Sequence, residues 1–371
     1  MTGAARLRSL AALSLVLALA ACAGDGGAGS PGASSDDSPS AASDASPGAS
    51  GASPSASAEA SPSAAAGEFT NPVLEANFAD PFLLEVDGTY YGYATGNLTW
   101  NIQVSTSPDL VEWTSSREAL PKLPLWQPRS KGLTWAPEVI ETDAGFVMHY
   151  TTRDVQAGKQ CLSVAVAEEP NGPFVDESEK PLVCQVDLGG SIDSTPFRDE
   201  DGSLWLAWKN DGNCCGIRTR FFLAPLDETG VELTGEPVDL GMENDEGWER
   251  NVIEAPTIWL HEGTYYLFYS ANDYGSPNYA VGYATSEDLD GPYTDAEENP
   301  ILVSAGDAAG PGHQSLIVDD DGELWMAYHA WDAALVGDNL GGRRALWIDR
   351  LVFEDGKPVV QGPTQDPQPV P

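Results

Sequence analysis

The sequence predicts an all-β protein, and more specifically a five-bladed β-propeller. One observation is a segment that recurs five times, starting near residues 79, 135, 192, 253 and 313, with a period of about 60 residues. Another is that each segment leads into an Asp-Gly type of turn and then an aromatic-rich run. The third is that no long stretch shows helical periodicity. Five such units closed into a ring form a five-bladed propeller, whose blades normally have four strands.

Each unit contains the same predicted elements in the same order. The opening segments are Ala79–Leu84, Trp135–Ile140, Ile192–Phe197, Ile253–Ile258 and His313–Val318. The aromatic-rich second strands are predicted at Tyr90–Tyr93, Phe146–Tyr150, Leu204–Trp208, Tyr265–Tyr269 and Leu324–Tyr328. The third strands are predicted at Asn101–Thr106, Cys161–Val166, Arg218–Ala224, Tyr279–Thr285 and Ala345–Leu351. A fourth strand in every unit is expected to complete the blade.

The repeat predicts where chemistry would be located. It places Asp80, Asp193, Glu254 and His313 at corresponding points of four units. The first strand of each propeller blade lines the central channel, so we expect these side chains to meet at its mouth. A single acidic residue at the start of a strand is usually a solvated turn residue. Three of them beside apolar neighbours indicate function, because a buried carboxylate is costly unless it is paired or used.

The first 21 residues predict an export signal. Arg6 and Arg8 precede an apolar run at 10–20, which is too short for a membrane-spanning helix of about 20 residues. The run ends in Leu-Ala-Ala-Cys, which resembles the bacterial lipoprotein signal, and this resemblance implies that Cys22 is lipidated. Ordinary secretion with an incidental cysteine is the alternative. Residues 22–67 consist almost entirely of Ala, Ser, Gly, Pro and Asp, which predicts a flexible linker to a propeller domain at 68–371.

The composition limits the partners. The formal net charge of −39 argues against nucleic acid and disfavours a polyanionic substrate, because phosphate binding needs clustered Lys and Arg. A neutral substrate suits this chain. We expect a monomer on the extracellular face of the bacterial membrane, attached to the membrane only through the lipid.

Four cysteines remain after Cys22, namely Cys161, Cys184, Cys214 and Cys215. An even number in an exported protein predicts disulfides, with three possible connectivities. The pair Cys161–Cys184 is preferred because these residues flank one predicted strand pair. Adjacent Cys214 and Cys215 would then form a vicinal disulfide or stay reduced. A zinc site is disfavoured because the paired Cys-x-x-Cys spacing is missing.

Four motifs together carry a resemblance to a known family. They are Ala79-Asp80-Pro81-Phe82, Trp135-Ala136-Pro137-Glu138, Ser191-Ile192-Asp193-Ser194 and Ile253-Glu254-Ala255-Pro256. In this order they resemble glycoside hydrolase family 43, over Asn71 to about Pro358. The resemblance implies a five-bladed propeller that cleaves arabinose- or xylose-containing polysaccharides with inversion. It also implies that Asp80 is the general base, Glu254 the general acid and Asp193 the residue that tunes and positions the acid.

The same resemblance implies further site residues. Trp135 matches a sugar-stacking aromatic residue, with blade packing as its alternative role, and Arg344 matches an arginine directed at the sugar hydroxyls. Arg343 could be the inward residue instead, because strand alternation decides between the two. Phe82 and Ser194, which belong to the motifs, are also expected to contact substrate. His313 matches an axial histidine near which a calcium or other structural ion is expected in some members, although no cofactor is required for the chemistry.

The leading functional hypothesis is an arabinanase or α-L-arabinofuranosidase, acting on arabino-oligosaccharide or polysaccharide. A β-xylosidase of the same family is the alternative within enzymes. Many of those enzymes carry an additional C-terminal β-sandwich, whereas this chain ends soon after its fifth unit, which disfavours this alternative. A surface lipoprotein that binds glycans without cleaving them is the alternative outside enzymes. The sequence leaves open endo or exo action and the choice between arabinose and xylose.

Overall fold

The computed structural model describes residues 67–371, apart from residues 129 and 246. The predicted export signal, Cys22 and all but the last residue of the predicted linker therefore lie outside the described residues. Within the described ranges, no helix has both the length and the apolar character needed to cross a membrane.

The described chain is built from strands that form five blade sheets and one short ribbon. The ribbon pairs β1 (Glu68–Phe69) with β21 (Gln368–Pro369). Blade one comprises β2 (Phe82–Val86), β3 (Thr89–Ala94), β4 (Gln103–Ser107) and β5 (Arg117–Glu118). Blade two comprises β6 (Thr134–Thr142), β7 (Gly145–Asp154) and β8 (Lys159–Ala167). Blade three comprises β9 (Ser191–Arg198), β10 (Leu204–Asn210), β11 (Arg220–Pro225) and β12 (Val238–Glu243). Blade four comprises β13 (Ile253–His261), β14 (Thr264–Ala271), β15 (Ala280–Ser286) and β16 (Thr294–Asp295). Blade five comprises β17 (Ala308–Val318), β18 (Leu324–Asp332), β19 (Arg344–Glu354) and β20 (Lys357–Val360).

This arrangement confirms the predicted five-bladed propeller. Every predicted second and third strand overlaps an observed strand, and neighbouring strands within each blade are antiparallel. The expected fourth strand is present in four blades, but the sheet of blade two has three strands. In its place, Val175 and Val183 form isolated bridges to Val166 and Leu162 of β8. The outer edge of a blade faces solvent and buries little apolar surface, so isolated bridges are enough there.

The apolar core lies between adjacent blades. Between blades three and four, for example, Phe221 packs on Tyr269 with ring centroids 5.9 Å apart, and both side chains are fully buried. Blade faces present large aromatic side chains because each blade is a sheet buried on both faces by its neighbours. The hydroxyl of Tyr269 donates to Asp295 at 2.6 Å, so its polar end is satisfied inside this core.

The two ends of the described chain meet between blades five and one. Antiparallel pairing of β1 with β21 joins them, and Asn71 donates from its side-chain amide to the carbonyl of Ile348 at 2.7 Å. The backbone amide of Phe78 then donates to the carbonyl of Arg344 at 2.8 Å, immediately before the first blade begins. The ring is therefore closed next to the residues that the sequence places at the channel mouth.

Two disulfides are formed, Cys161–Cys184 and Cys214–Cys215. The first confirms the preferred pairing and ties β8 to the segment that leads into β9. The second is the vicinal alternative, located in the short turn Gly212–Cys215 after β10. Both pairs lie close to the strands of blade three, which carry part of the site described next.

Candidate active site

A shared backbone distortion marks the entrance of each blade. The residues at this point have positive φ, although none of them is glycine: Asp80 (55°), Ala136 (44°), Asp193 (54°), Ala255 (54°) and His313 (50°). Such a conformation is uncommon for non-glycine residues and is concentrated at functional sites. The strand register also shifts here in blades two to five. Two successive side chains can therefore face the channel mouth, where a regular strand would present only one.

This distortion corrects the sequence alignment by one residue in blade four. Ala255, and not Glu254, corresponds to Asp80, Asp193 and His313. Glu254 lies one residue earlier and corresponds to Trp135 of blade two. It nevertheless faces the same pocket, because both positions at the bulge are directed inward. The sequence motif identified the right residue with the wrong structural equivalence.

The mouth of the channel is a pocket of about 790 Å³. Its lining includes most of the predicted site residues, namely Asp80, Trp135, Asp193, Glu254, His313 and Arg344. Loops contribute Leu98 from blade one, Cys214 from blade three, Tyr274 from blade four and Asp338 from blade five. All five blades therefore surround the pocket, and three carboxyl groups predicted from separate repeats share it.

Asp80 is surrounded by polar side chains. Its Oδ1 lies 2.9 Å from Nη1 of Arg344 and 3.4 Å from Nδ1 of both His313 and His329, while its Oδ2 accepts a hydrogen bond from Thr95. Burial alone would raise the pKa of Asp80. The charge of Arg344, followed by His313 and the Thr95 hydroxyl, outweighs burial and lowers the pKa of Asp80 well below its ordinary value. Asp80 is therefore ionised at neutral pH, as a base must be.

His329 also supports the backbone at this point. Its Nδ1 accepts a hydrogen bond of 3.1 Å from the backbone amide of Asp80, which requires a neutral ring with the proton on Nε2. Burial, followed by the charge of Arg344, lowers the pKa of His329 well below its ordinary value. The ring stacks on Tyr279 with centroids 5.8 Å apart. His329 therefore helps to hold Asp80 in its left-handed conformation without adding charge.

Asp193 has the opposite electrostatics. Its Oδ2 accepts a hydrogen bond of 3.2 Å from the backbone amide of Ala255, the residue after Glu254. Burial raises the pKa of Asp193 to about 6, and the negative charges of Glu254 and Asp80 add to this, while His313 and Lys209 oppose it. Asp193 therefore contacts the strand that carries Glu254, and the strength of this hydrogen bond depends on whether Asp193 is protonated.

Glu254 is held by two donors. Its Oε2 lies 3.2 Å from Nζ of Lys209, and its Oε1 accepts a hydrogen bond of 2.7 Å from the hydroxyl of Tyr279. The Glu254 side chain is only about one-tenth exposed, so its orientation is fixed by these two contacts. The fixed carboxyl group borders the pocket, where it can exchange a proton with a bound molecule.

The structure resolves the choice between the adjacent arginines. Arg344 lines the pocket, whereas Arg343 lines a separate surface concavity. The guanidinium of Arg344 lies 4.8 Å from the ring centroid of Tyr274, which fixes it between that ring and Asp80. Trp135 borders the pocket from blade two and donates from its indole to the carbonyl of Gly132 at 3.2 Å. Its partly exposed ring can therefore offer a face to a sugar.

Two sequence-predicted contact residues are placed outside the pocket lining. Phe82 packs on Tyr93 in the cluster between blades one and two, with ring centroids 6.4 Å apart. Ser194 is fully buried. The structure therefore does not bring these two side chains to the pocket, and their contact with substrate stays a prediction. Glu138 is likewise buried below the mouth, where burial raises its pKa well above the ordinary value and Thr195 donates to it at 3.0 Å.

The surroundings of His313 do not fit a directly bound calcium ion. Calcium prefers six to eight oxygen ligands. The described residues contain no group of three His, Cys, Asp or Glu side chains arranged to hold a metal. Nδ1 of His313 instead faces Asp80 at 3.4 Å, and its backbone amide donates to the hydroxyl of Ser270 at 2.7 Å. We therefore derive no step through an ion.

Sequence reasoning missed Lys209, Tyr279, Tyr274 and His329. For Lys209 a signal was present: it is a lysine near the end of an aromatic-rich strand, where the other blades have Thr95, Thr151, Ser270 or His329. Tyr274 lies in a loop whose shape the sequence does not reveal. Tyr279 and His329 reach the site through the packing of blades four and five, which periodicity does not describe.

Comparison with known proteins agrees with this geometry. The family model described as glycosyl hydrolases family 43 matches residues 69–358. The chain belongs to glycoside hydrolase family 43. It is therefore a glycosidase, and the family's match spans all five blades. A solved structure described as a thermostable family-43 glycoside hydrolase is 34% identical, with a TM-score of 0.72, covering 82% of this chain and 99% of that one.

Three curated relatives in family 43 have different names. The chain is 26% identical to a β-D-galactofuranosidase of Aspergillus niger, over 77% of this chain and 82% of the relative. It is 29% identical to a β-xylosidase of Bacillus subtilis, over 80% of this chain but only 57% of the relative. It is 25% identical to extracellular endo-α-(1→5)-L-arabinanase 1 of Bacillus subtilis, over 75% of this chain and 86% of the relative.

Proposed function

We propose that the protein is an inverting, exo-acting α-L-arabinofuranosidase that removes terminal arabinose from arabino-oligosaccharides or arabinan. The observation that carries this proposal is the contrast between two carboxyl groups in one pocket. Asp80 is kept ionised chiefly by Arg344, with His313 and Thr95 beside it, whereas Glu254 is held by Lys209 and Tyr279. A glycosidase needs two carboxyl groups of this kind, one ionised base and one acid.

The proposed reaction is a single displacement. Asp80 removes a proton from a water molecule as that water attacks the anomeric carbon. Glu254 donates its proton to the glycosidic oxygen as the bond from that oxygen to the anomeric carbon breaks. Because water enters on the face opposite the leaving group, the anomeric configuration inverts. Asp80 ends protonated and Glu254 ends ionised, so both must exchange a proton with solvent before the next turnover.

Asp193 is proposed to tune and position the acid. It holds the backbone amide of Ala255, and its negative charge acts on Glu254 across the pocket. A neighbouring negative charge favours the protonated form of a carboxyl group. Asp193 would thus position Glu254 and act on its charge, which matches the role implied by the family resemblance.

The shape of the pocket supports exo action. Loops of all five blades surround it, including Leu98, Asp338 and the turn that contains Cys214. An endo-acting enzyme needs a groove that is open at both ends, whereas a surrounded pocket accepts a chain end. Arabinose is favoured over xylose because two relatives matched over more than four-fifths of their length are named a galactofuranosidase and an arabinanase. The β-xylosidase is matched over 57% of its length.

One set of assays tests both the sugar and the mode of action. Cleavage of 4-nitrophenyl α-L-arabinofuranoside, 4-nitrophenyl β-D-xyloside and debranched arabinan would be measured side by side. We expect turnover of the arabinofuranoside and release of free arabinose from arabinan. Faster cleavage of the xyloside would replace the proposed sugar with xylose, and internal oligosaccharides among the early products would contradict exo action.

The proposed mechanism has its own tests. Inversion predicts that proton NMR of the first product shows the opposite anomer to that of the substrate, and that the Asp80 and Glu254 carboxyl groups lie roughly 6.5–9.5 Å apart in a crystal structure. A retained anomer would contradict it. The substitution Glu254→Gln should abolish turnover of arabinan and leave sugar binding measurable by calorimetry, whereas a protein that only binds glycans would show no turnover even with Glu254 present.

We further propose that the protein acts outside the cell as a monomer, anchored through a lipid on Cys22. Two disulfides in the described chain support an oxidising compartment, and the arabinanase relative is named extracellular. Globomycin, which blocks lipoprotein signal cleavage, should cause the precursor to accumulate in cells. A Cys22→Ala variant that is still retained on the membrane would contradict lipid anchoring.

A further inference from the structure

Lys209 is a buried cation beside the proposed acid. Its side chain is fully buried, and its Nζ lies 3.2 Å from Oε2 of Glu254 and 2.9 Å from Oδ1 of Asn213. We propose that Lys209 is a positioning residue that fixes the Glu254 carboxyl group and stabilises the carboxylate that proton donation leaves behind. This inference rests on the proposed function, in which Glu254 is the acid.

The repeat shows that Lys209 does not have the structural role of its counterparts. In all four other blades the corresponding residue accepts a hydrogen bond from the left-handed residue of the next blade: Ala136 N donates to Thr95 at 2.9 Å, Asp193 N to Thr151 at 3.1 Å, His313 N to Ser270 at 2.7 Å and Asp80 N to His329 at 3.1 Å. An ammonium group has three donors and no acceptor, so Lys209 cannot do this.

Blade four compensates for the missing acceptor. The backbone amide of Ala255, its left-handed residue, donates instead to Oδ2 of Asp193 at 3.2 Å. At this junction the lysine cannot accept the hydrogen bond that stabilises the other blade junctions. The carboxyl group of Asp193 accepts it instead. A residue kept only for folding would not need this rearrangement, because a serine or threonine at position 209 could accept the bond directly.

The charges around Lys209 come from several elements. Glu254 faces it from β13 and Asp193 from β9, while Asp211 follows it after β10. The Lys209 charge opposes the effect of burial on the pKa of both Asp193 and Asp211. Tyr279 supplies a neutral donor to the other oxygen of Glu254, at 2.7 Å. An ammonium is costly to bury unless it is paired, and the carboxyl group in hydrogen-bond contact with it is that of Glu254.

This arrangement acts at the step in which the leaving group departs. When Glu254 gives its proton to the glycosidic oxygen, negative charge develops on its carboxyl group. The Lys209 ammonium interacts more strongly with that carboxylate than with the neutral acid, so its contribution grows along the reaction. Asn213 fixes the other side of the ammonium from the turn that carries Cys214, which itself lines the pocket.

The substitution Lys209→Met tests the inference, because methionine preserves length and removes the charge. We expect at least about a 100-fold loss of kcat on arabinobiose, whose leaving group must be protonated, and less than a tenfold loss on 4-nitrophenyl α-L-arabinofuranoside, whose leaving group departs unaided. The alkaline limb of kcat/KM for arabinobiose should move to higher pH, because the Lys209 charge that this variant loses lowers the pKa of Asp193 beside the proposed acid.

Two variants serve as controls. Lys357→Met removes the same charge from an exposed pair with Glu298, far along the chain in β20, and should leave both rates and the pH limb unchanged. Lys209→Arg keeps the charge and should therefore retain most of the kcat on arabinobiose that Lys209→Met loses. If Lys209→Met does not fold, Asn213→Ala removes the exposed partner of the ammonium and should produce a smaller but still selective loss on arabinobiose.

The outcomes separate this inference from the proposed function. Equal losses on both substrates, an unmoved alkaline limb and a lower melting temperature would show that Lys209 is only structural and would overturn the inference. Equal losses of both activities in the Asn213→Ala variant would overturn it as well. If the unsubstituted protein cleaves neither arabinoside, the proposed function fails before the variants are compared.

Discussion

The two disulfides provide a stability test with a built-in control. Cys161 and Cys184 are 23 residues apart in sequence, whereas Cys214 and Cys215 are adjacent. The double substitutions Cys161→Ala/Cys184→Ala and Cys214→Ala/Cys215→Ala each remove one sulfur–sulfur bond. They differ in the length of chain that the bond closes into a loop, and this length sets the conformational entropy removed from the unfolded state.

The magnitudes follow from these separations. Closing a loop of about 23 residues lowers the entropy of the unfolded chain enough to stabilise the folded state by about 3 kcal/mol, whereas a bond between neighbours closes almost no loop. Unfolding roughly 300 residues changes the entropy by about 0.6 kcal/mol/K, so the first double variant should melt about 5 °C lower. The second should melt within about 1 °C of the unsubstituted protein.

Differential scanning calorimetry, with and without a phosphine reductant, measures both effects. Reduction should lower the melting temperature of the unsubstituted protein to that of the Cys161→Ala/Cys184→Ala variant, and should not change that variant further. Equal melting temperatures for the two double variants would refute the reasoning, because loop length would then have no part in the stabilisation. A larger decrease in melting temperature for Cys214→Ala/Cys215→Ala than for Cys161→Ala/Cys184→Ala would refute it more strongly.

Three other predictions concern the site and the ring closure. Arg344→Met should lower kcat/KM at least about 100-fold because Asp80 loses its cation, while the exposed neighbour control Arg343→Met should stay within twofold. Chelation with EDTA should leave kcat within about twofold, because the residues around His313 do not assemble a direct calcium site. Burial raises the pKa of Asp349 to about 7, so the stability that it contributes at pH 4 should be lost as the pH rises to 7. Between pH 4 and pH 7, chemical denaturation should show that the free energy of unfolding of the unsubstituted protein falls by up to about 4 kcal/mol relative to that of Asp349→Asn. A difference between the two proteins that does not change with pH would contradict the prediction.

Periodicity predicted the fold well because propeller blades are separate copies of one local pattern. The turn after each opening segment and the aromatic run that follows are local features, so the second and third strands could be read from the chain. The missing fourth strand of blade two could not be predicted in this way. An edge strand contributes little buried surface, so the sequence there is weakly constrained.

The site was only partly predictable, for a different reason. Asp80, Asp193, Glu254, Arg344 and Trp135 were found because motifs mark them. Phe82 and Ser194 belong to the same motifs but do not line the pocket, because the left-handed residues Asp80 and Asp193 change the direction of the side chains that follow. That backbone conformation depends on hydrogen bonds to the neighbouring blade, such as the bond from Asp193 N to Thr151. No local sequence rule contains this information.

The sequence by itself determined the number of blades, the family and the three carboxyl groups, because each depends on residues that are close together in the chain. The tertiary structure decided which partners each carboxyl group meets. Asp80 meets Arg344 and Glu254 meets Lys209 across blade junctions, over separations of 264 and 45 residues. Electrostatic interactions depend on distance in space. The different surroundings of the two carboxyl groups therefore arise only when the blades pack together.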